Sequence, residues 1–368
     1  MNIVIAERKG NEDLMRYGVE AQDENGKALS YGGFSFTWSK FGREFVKTVR
    51  VGGVATPVEN RRGGNVRKIF DYMHNLAAEE GTAVSVLHPF SFSYYKKFGY
   101  GRVADHLIAR FPTSKIDFVP RQCHFVPYDA DKLEDMLTVY RRFSEGRNLL
   151  MKRFDDRQYT KDKQSVYICY DGEEPIAYVV YQTEKELFVN HYVNTVLTVC
   201  EMAYTSPSAL KEIFSFLRMF EGEFDEIELL DCTLYPEAEM LLQHYTHTSY
   251  RLVPDLAARV LNTETMLTAN DYPIGEGRFT IRVEDRLPTV AGVYQVNYGG
   301  GDCRVVRLND CADCDAALSV DAFSSLLYGY HGLDCRKARY AEGIELYRDC
   351  EDLFRAFPRR PCGIFEHF

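Results

Sequence analysis

The chain has a single tryptophan, Trp38, and no excess of basic charge. Against 44 lysines and arginines stand 54 aspartates and glutamates, a net charge of −10 over 368 residues. A role that rests on neutralising nucleic-acid phosphates is thereby disfavoured, while a cationic substrate gains electrostatic steering. Apolar runs fall far short of a membrane span. The stretch Met1 to Gly10 lacks the hydrophobic region of a signal peptide. The ten cysteines lack the dense spacing of a disulfide scaffold, so free thiols in a cytoplasmic protein are expected. At 45% hydrophobic and 27% charged residues, the chain has the composition of a globular protein with room for two or three domains.

The most informative stretch runs from Val49 to Tyr100. Val49-Arg50-Val51-Gly52-Gly53-Val54-Ala55-Thr56 reads as a strand. The basic, glycine-rich turn Asn60-Arg61-Arg62-Gly63-Gly64-Asn65 follows. Val66, Ile69, Phe70, Met73 and Leu76 then share one face of a helix that Gly81 ends. A second strand, Ala83 to Leu87, leads to Pro89 and an aromatic loop ending Tyr95-Lys96-Lys97-Phe98-Gly99-Tyr100. A strand, a tight glycine turn and a helix start leave backbone N–H groups pointing one way, with the positive end of the helix dipole behind them. That arrangement suits a phosphate or pyrophosphate, and Arg61, Arg62 and Arg67 add charge. The turn has no Gly-Lys-Ser/Thr and no Gly-x-Gly-x-x-Gly, so it is neither a P-loop nor a dinucleotide fingerprint. From the turn alone, an ordinary basic surface loop stands level with an anion site.

Arg61-Arg62-Gly63-Gly64-Asn65-Val66 resembles the Arg/Gln-x-x-Gly-x-Gly/Ala loop of the GNAT acetyltransferases, with Val66 at the small position. Tyr95-Lys96-Lys97-Phe98-Gly99-Tyr100 resembles the Tyr-x-x-x-Gly-Phe/Tyr segment of the same fold. Together with Val54-Ala55-Thr56 they look like the Eis-like (enhanced intracellular survival) branch, in which the small loop residue is commonly a larger apolar one. The resemblance implies an α+β chain: two tandem GNAT-like mixed-sheet α/β domains, followed by a sterol-carrier-protein-like α/β domain. It implies acetyl-CoA as cosubstrate, no metal, and contacts from Val54, Ala55, Thr56, Arg62, Gly63, Gly64, Asn65, Val66, Arg67, Phe90 and Ser91. A homo-oligomer, a hexamer or trimer, is implied as well.

The domains are expected at 1–115, 116–265 and 266–368. In the first, Met1–Arg8, Met15–Gln22 and Leu29–Thr37 read as strands, the last two joined by the Asp23-Glu24-Asn25-Gly26 turn. Little room remains for the two helices that GNAT domains place between the first two strands. Either the chain start is truncated or the acceptor side is more open. Trp38 suits an aromatic wall at a substrate mouth or simple packing. Val103–Phe111 is a further strand, and Pro112 and Pro120 mark a break. In the second domain, Asp131–Glu145 is a helix, and Ser165–Tyr170, Ile176–Tyr181 and Val196–Ala203 are strands. A second helix carries Leu210, Ile213, Phe214 and Leu217. Its start, Thr205-Ser206-Pro207, offers a cap and a first-turn proline but no glycine and no arginine, so no pyrophosphate cradle is expected. The last domain alternates at Phe279–Val283, Gly292–Val296 and Cys303–Arg307, with short helices at Asp321–Tyr328 and Cys350–Phe357.

Acyl transfer from a thioester to an amine needs a proton for the leaving thiolate and a group to handle the ammonium. Tyr95 is the candidate acid, since a phenol with pKa near 10 stays protonated at neutral pH. Tyr94 and Tyr100 are neighbours, and the family pattern selects Tyr95. The tail Cys362-Gly363-Ile364-Phe365-Glu366-His367-Phe368 carries apolar anchors against fraying. In Eis-like enzymes the terminal carboxylate is the base, and the resemblance carries that role to the α-carboxylate of Phe368, with His367 where the family has an acidic residue. With a reference pKa of roughly 3.3–3.7 the carboxylate either binds the ammonium electrostatically or relays its proton through water. Cys311-x-x-Cys314 has metal-like spacing, but Cys303 and Cys335 do not complete a zinc set, and fortuitous cysteines are the expectation. His88 and His106 read as packing or hydrogen-bonding residues. The expected activity is an acetyl-CoA-dependent N-acetyltransferase acting by direct attack of a primary amine: an aminoglycoside, a polyamine-like molecule or a lysine. The alternative is a non-catalytic acyl-CoA or lipid-binding sensor on the same scaffold.

Overall fold

The structure, a computed structural model, describes residues 2–117, 121–157, 164–187, 193–242, 245–310, 312–366 and 368. Pro120, Cys311 and His367 lie outside the described residues.

The first unit runs β1 (Asn2–Gly10), β2 (Met15–Gln22), β3 (Ala28–Phe41), β4 (Glu44–Ala55), α1 (Asn65–Glu79), β5 (Val84–Leu87), α2 (Phe92–Lys96) and β6 (Gly101–Pro112). Strand β2 alternates as its sequence dictates, burying Tyr17, Val19 and Ala21 on one face. Helix α1 buries Ile69, Phe70, Met73 and Ala77, and Gly81 leaves it in the left-handed conformation at φ 70°. Strands β1 and β2 form a hairpin directly, closed by a hydrogen bond from Asn11 N to Leu14 O of 3.2 Å, with no helix between them. Phe92–Lys96, including Tyr95, is a helix, α2, within the expected loop; Ser91 caps it by accepting from the Tyr94 amide.

The second unit runs β7 (His124–Pro127), α3 (Leu133–Ser144), β8 (Gln164–Asp171), β9 (Glu174–Leu187), β10 (Val193–Tyr204), α4 (Pro207–Arg218), β11 (Glu226–Leu229) and β12 (Ser249–Val260). Ser206 caps α4 by accepting from the Ala209 amide at 3.2 Å, and Pro207 sits in its first turn.

Among the described residues, twelve strands join in one sheet in the order β1-β2-β3-β4-β5-β12-β6-β11-β10-β9-β8-β7. The two units therefore interlock. Strand β12 of the second unit pairs antiparallel with both β5 and β6 of the first, and β6 pairs with β11 of the second. Each unit also contains one short parallel pair, β4 with β5 and β10 with β11.

The third unit runs α5 (Thr263–Ala269), β13 (Gly277–Glu284), β14 (Gly292–Gly299), β15 (Asp302–Leu308), β16 (Ala316–Ser319), α6 (Val320–Leu327), α7 (Cys335–Ala338), β17 (Ile344–Leu346) and α8 (Glu351–Arg355). Its strands form a separate sheet, β15-β14-β13-β16-β17. Its buried side chains, among them Phe279, Phe323 and Phe357, are continuous with the first unit's core. The second unit's core gathers around Phe143, Tyr178 and Tyr235 and takes in Phe111 from β6 of the first unit.

Candidate active site

The site begins where β4 and β5 part. Their parallel pairing covers Thr48–Val51 against Val84–Leu87 and stops there. Beyond Val51, β4 continues to Ala55 while the other chain turns away through His88 and Pro89, opening a notch between them. Both strands are pinned short of the notch: Val49, Val51, Val84 and Val86 are buried.

One side of the notch holds the glycine turn. Gly64 takes the position before α1 with φ 74°, a left-handed conformation that favours glycine. The first turn of α1 carries no acidic side chain, so its unpaired amides and the dipole face an anion unopposed. A Cβ at Gly64 would meet nothing within 4 Å, and one at Gly63 would touch the Asn65 amide at 3.4 Å. The turn needs glycine for conformation at Gly64, and room at both positions is left over for a ligand. Arg62 is also left-handed, at φ 66°, an uncommon state for a residue with a Cβ. Two buried polar atoms of this turn, Asn60 Nδ2 and Asn65 Oδ1, have no hydrogen-bond partner. These features fit a pyrophosphate.

A cavity of about 790 Å³ lies on this turn. Its lining brings together Val54 and Ala55 from β4 with Thr56 just after it, Asn60 to Arg67 from the turn and helix, and Phe90, Tyr94 and Phe98. The sequence had placed ten of these as cofactor contacts: Val54, Ala55, Thr56, Arg62, Gly63, Gly64, Asn65, Val66, Arg67 and Phe90. Phe90 is 76% exposed, an aromatic surface that a ligand would cover. Ser91 does not line the cavity; its hydroxyl is committed to capping α2.

Tyr94 and Tyr95 occupy different surroundings. Tyr94 lines the cavity, with Lys97 5.9 Å from its ring. Tyr95 is buried in an aromatic cluster, its ring 5.3 Å from Tyr94, 5.4 Å from Phe90 and 6.0 Å from Phe70. Burial first, and then Tyr94, raise the Tyr95 phenol above its ordinary range, so it stays a neutral donor. Behind it, the Tyr100 hydroxyl is 2.6 Å from Ser85 Oγ and 3.2 Å from His74 Nε2. Burial holds His74 neutral, and this group acts as packing support.

The other side of the notch holds Phe368. A Cβ at Gly52 would lie 2.8 Å from the Phe368 carbonyl carbon, so a side chain there would displace the tail. The Phe368 ring lies 4.9 Å from the His88 ring and 5.0 Å from the Arg50 guanidinium carbon. His88 Nδ1 is 2.9 Å from Asp255 Oδ1, and His106 Nε2 is 3.0 Å from Asp255 Oδ2 and 3.6 Å from Asp231 Oδ2. Hydrogen bonds and charge from its histidine partners hold Asp255 well below the usual carboxylate range despite its burial. Burial lifts Asp231 to about 6. Arg50, Asp255 and Asp231 were not singled out in the sequence; nothing in their spacing marks residues whose partners are distant in the chain, as His88 is from Asp255, 167 positions apart.

Trp38 is not at this notch. It lies inside β3 opposite Lys47, at the start of β4, and lines a separate cavity with Tyr17, Phe36 and Phe45. Gly52 lies five residue steps along β4 from Lys47, roughly 17 Å of chain. Cys314 is buried and unpaired, and among the described residues no group of three or more His, Cys, Asp or Glu side chains could hold a metal ion. No described helix is long and apolar enough to cross a membrane.

Comparison with known proteins bears on both units. Residues 17–103 match one acetyltransferase (GNAT) domain family and residues 147–260 another. No curated protein matches the chain. Among solved structures it is similar to a probable N-acyltransferase from Enterococcus faecalis V583, at 17% identity over 96% of this chain and 89% of that one, with a TM-score of 0.79. It is similar to a GCN5-related N-acetyltransferase from Anabaena variabilis, at 17% identity, 96% and 89% coverage and a TM-score of 0.80. It is also similar to Eis1 from Mycobacterium abscessus, at 17% identity, 95% and 90% coverage and a TM-score of 0.79. At that identity the three likenesses speak to the fold over nearly the whole chain. The two domain matches speak to the chemistry: the chain carries two acetyltransferase (GNAT) domains in tandem and is an acyltransferase of that type.

Proposed function

We propose that the chain transfers an acetyl group from acetyl-CoA to a primary amine in the β4–β5 notch of the first unit, by direct attack. The observation that carries this reading is the notch itself, with an anion cradle on one flank and the Phe368 carboxyl end on the other. Acetyl-CoA supplies the activated thioester. The amides of Asn65 to Arg67, with Arg61, Arg62 and Arg67, hold the pyrophosphate, and the free edge of β4 at Val54 to Thr56 pairs with the pantetheine arm like an added strand. The Tyr95 hydroxyl gives its proton to the leaving sulfur. The Phe368 carboxylate holds the incoming ammonium or takes its proton through water. No cysteine lines the cavity among the described residues, in keeping with direct attack rather than an acyl-cysteine.

The acceptor class is a cationic amine, an aminoglycoside, a polyamine-like molecule or a lysine side chain, steered by the net charge of −10. We read the units as domains of residues 1–115, 116–265 and 266–368, the last sterol-carrier-like and the second without a CoA site. The whole is read as a cytoplasmic Eis-like homo-oligomer; the free, largely buried cysteines suit a reducing compartment.

The experiment is acetyl-CoA titration by calorimetry together with thiol release over a panel of amines. One acetyl-CoA site per chain is expected, lost in a folded Gly64→Trp variant, with amine-dependent thiol release. Binding without release for any amine would favour the sensor reading, and unchanged affinity in Gly64→Trp would move the cofactor elsewhere.

A further inference from the structure

The second unit repeats the notch of the first. Strands β10 and β11 pair in parallel over Val196–Val199 against Glu226–Leu229, four residues, as β4 and β5 do, and then part. In the first unit the residue after the last pair is Gly52, which admits the Phe368 carboxyl end. In the second unit the strand goes on to Glu201, which is buried.

Beyond that pairing, Glu201 belongs to a buried ion-pair cluster. The Arg153 side chain is fully buried and donates to Glu201 from two nitrogens, Nη1 to Oε1 at 2.5 Å and Nη2 to Oε2 at 2.9 Å. Its Nε donates to Glu366 Oε1 at 2.7 Å, and Glu366 is buried as well. The Tyr178 hydroxyl also donates to Glu201. The guanidinium lies 4.1 Å over the Tyr140 ring, and Phe365 stacks on Tyr235 at 6.2 Å. The backbone follows the same path: Asn148 N donates to Pro361 O at 2.8 Å and Gly363 N donates to Asn148 O at 3.1 Å. Two peptide units separate Glu366 from Phe368, about 7 Å of chain. A tail fixed at Glu366 is thus fixed to within a short reach at Phe368.

We infer that Arg153 is a positioning residue: with Glu201 it clamps Glu366 in the second unit's notch and so holds Phe368 in the notch of the first. The second unit is then not an idle duplicate. Its buried Arg153–Glu201 pair is the socket for the tail that completes the other active site. A bidentate guanidinium is suited to this, because one planar fork can serve Glu201 while its Nε serves Glu366. Removing Glu366 leaves Arg153 still paired with Glu201, so the charge balance of the socket survives. Removing Arg153 leaves two buried carboxylates facing each other and is the harsher change.

The inference rests on the proposed role of Phe368, and the test separates the two. Amide hydrogen exchange of residues 361–368 is measured by mass spectrometry in the unmodified protein and in Glu366→Ala, Glu366→Gln and Arg153→Met, with melting curves and steady-state kinetics alongside. Glu366→Ala is expected to lose protection of the tail by about tenfold or more. It is also expected to lose about 10-fold or more in kcat, with little change in the KM for acetyl-CoA. Glu366→Gln, which keeps an acceptor for Arg153 Nε, should recover most of both. Tail protection unchanged in folded Glu366→Ala would overturn the clamp, whether or not Arg153→Met folds. Lost protection with unchanged kcat would overturn positioning and, with it, the role of Phe368. Absence of turnover in the unmodified protein would sink the acetyl-transfer reading, while the exchange data would still decide the clamp.

Discussion

Tyr94 and Tyr95 are consecutive, and burial separates them; the proposed mechanism assigns the proton donor to Tyr95. Tyr94 reaches the cavity rim, while Tyr95 is enclosed by Phe70, Phe90, Phe98 and Tyr100. Tyr95→Phe keeps the ring and removes the proton, so kcat is expected to fall about 10²–10⁴-fold with the fold intact. Tyr94→Phe should act mainly on the KM for acetyl-CoA, and the reverse order in a steady-state comparison would assign the proton to Tyr94. A second residue-scale prediction concerns Asp231. Its carboxyl is raised by burial to about 6, above its unfolded value near 3.9, so folding favours its protonated form. The cost of ionising it is absent well below its unfolded pKa, grows as pH rises through about 6, and is full above that. Asp231→Asn should therefore stabilise the protein more at pH 8 than at pH 5, by about 1 kcal/mol. Melting curves at the two pH values check this, and a larger gain at pH 5 would contradict it. The glycine turn before α1 was legible in the sequence because glycine, arginine and a helix start are adjacent in the chain. Met151-Lys152-Arg153 resembled the family's second domain, but the partners of Arg153 could not be read, because ion pairs across 48 and 213 positions leave no local trace.

Elements with strong periodicity could be read closely. Helix α1 and the capped start of α4 follow from apolar spacing, a closing glycine in one and Ser206-Pro207 in the other. Strands β3 and β4 run further than expected, to Phe41 and from Glu44, because they pair with each other across the tight turn at Gly42 and that pairing extends them. Helix α2 escaped notice: five residues show no period, and only the Ser91 cap marks it. Strand β12 escaped for a physical reason. Pro254 interrupts its sequence, and the structure accommodates the missing N–H at a register shift between Pro254 and Leu256. The same strand decides the architecture, since it enters the sheet between β5 and β6. Sequence order suggested two units in a row; the hydrogen bonds make them one sheet. Strand β5 is held on one side by the first unit and on the other by the second, which stiffens the wall of the notch.

At the scale of the whole molecule, the proposed site draws on three units. The first supplies the notch, the second a strand and the clamp, and the third shares the first unit's core and carries the chain back so that its last residues thread between the other two. We expect the molecule to self-associate with closed symmetry, as a trimer or hexamer. Light scattering should give a multiple of the 42.4 kDa chain, and a single-chain mass at working concentration would reject it. The most direct measurement of the central claim, acetyl transfer at a notch completed by the tail, is turnover of a protein extended by a short peptide beyond Phe368. The extension converts the α-carboxylate to a neutral amide and leaves the Phe368 ring, Arg50 and His88 in place. Thiol release with one good amine is expected to fall about 10²–10⁴-fold, while the melting temperature and acetyl-CoA affinity stay near those of the unextended chain. Full turnover in the extended protein would contradict the account, and would leave Phe368 a packing residue beside Gly52.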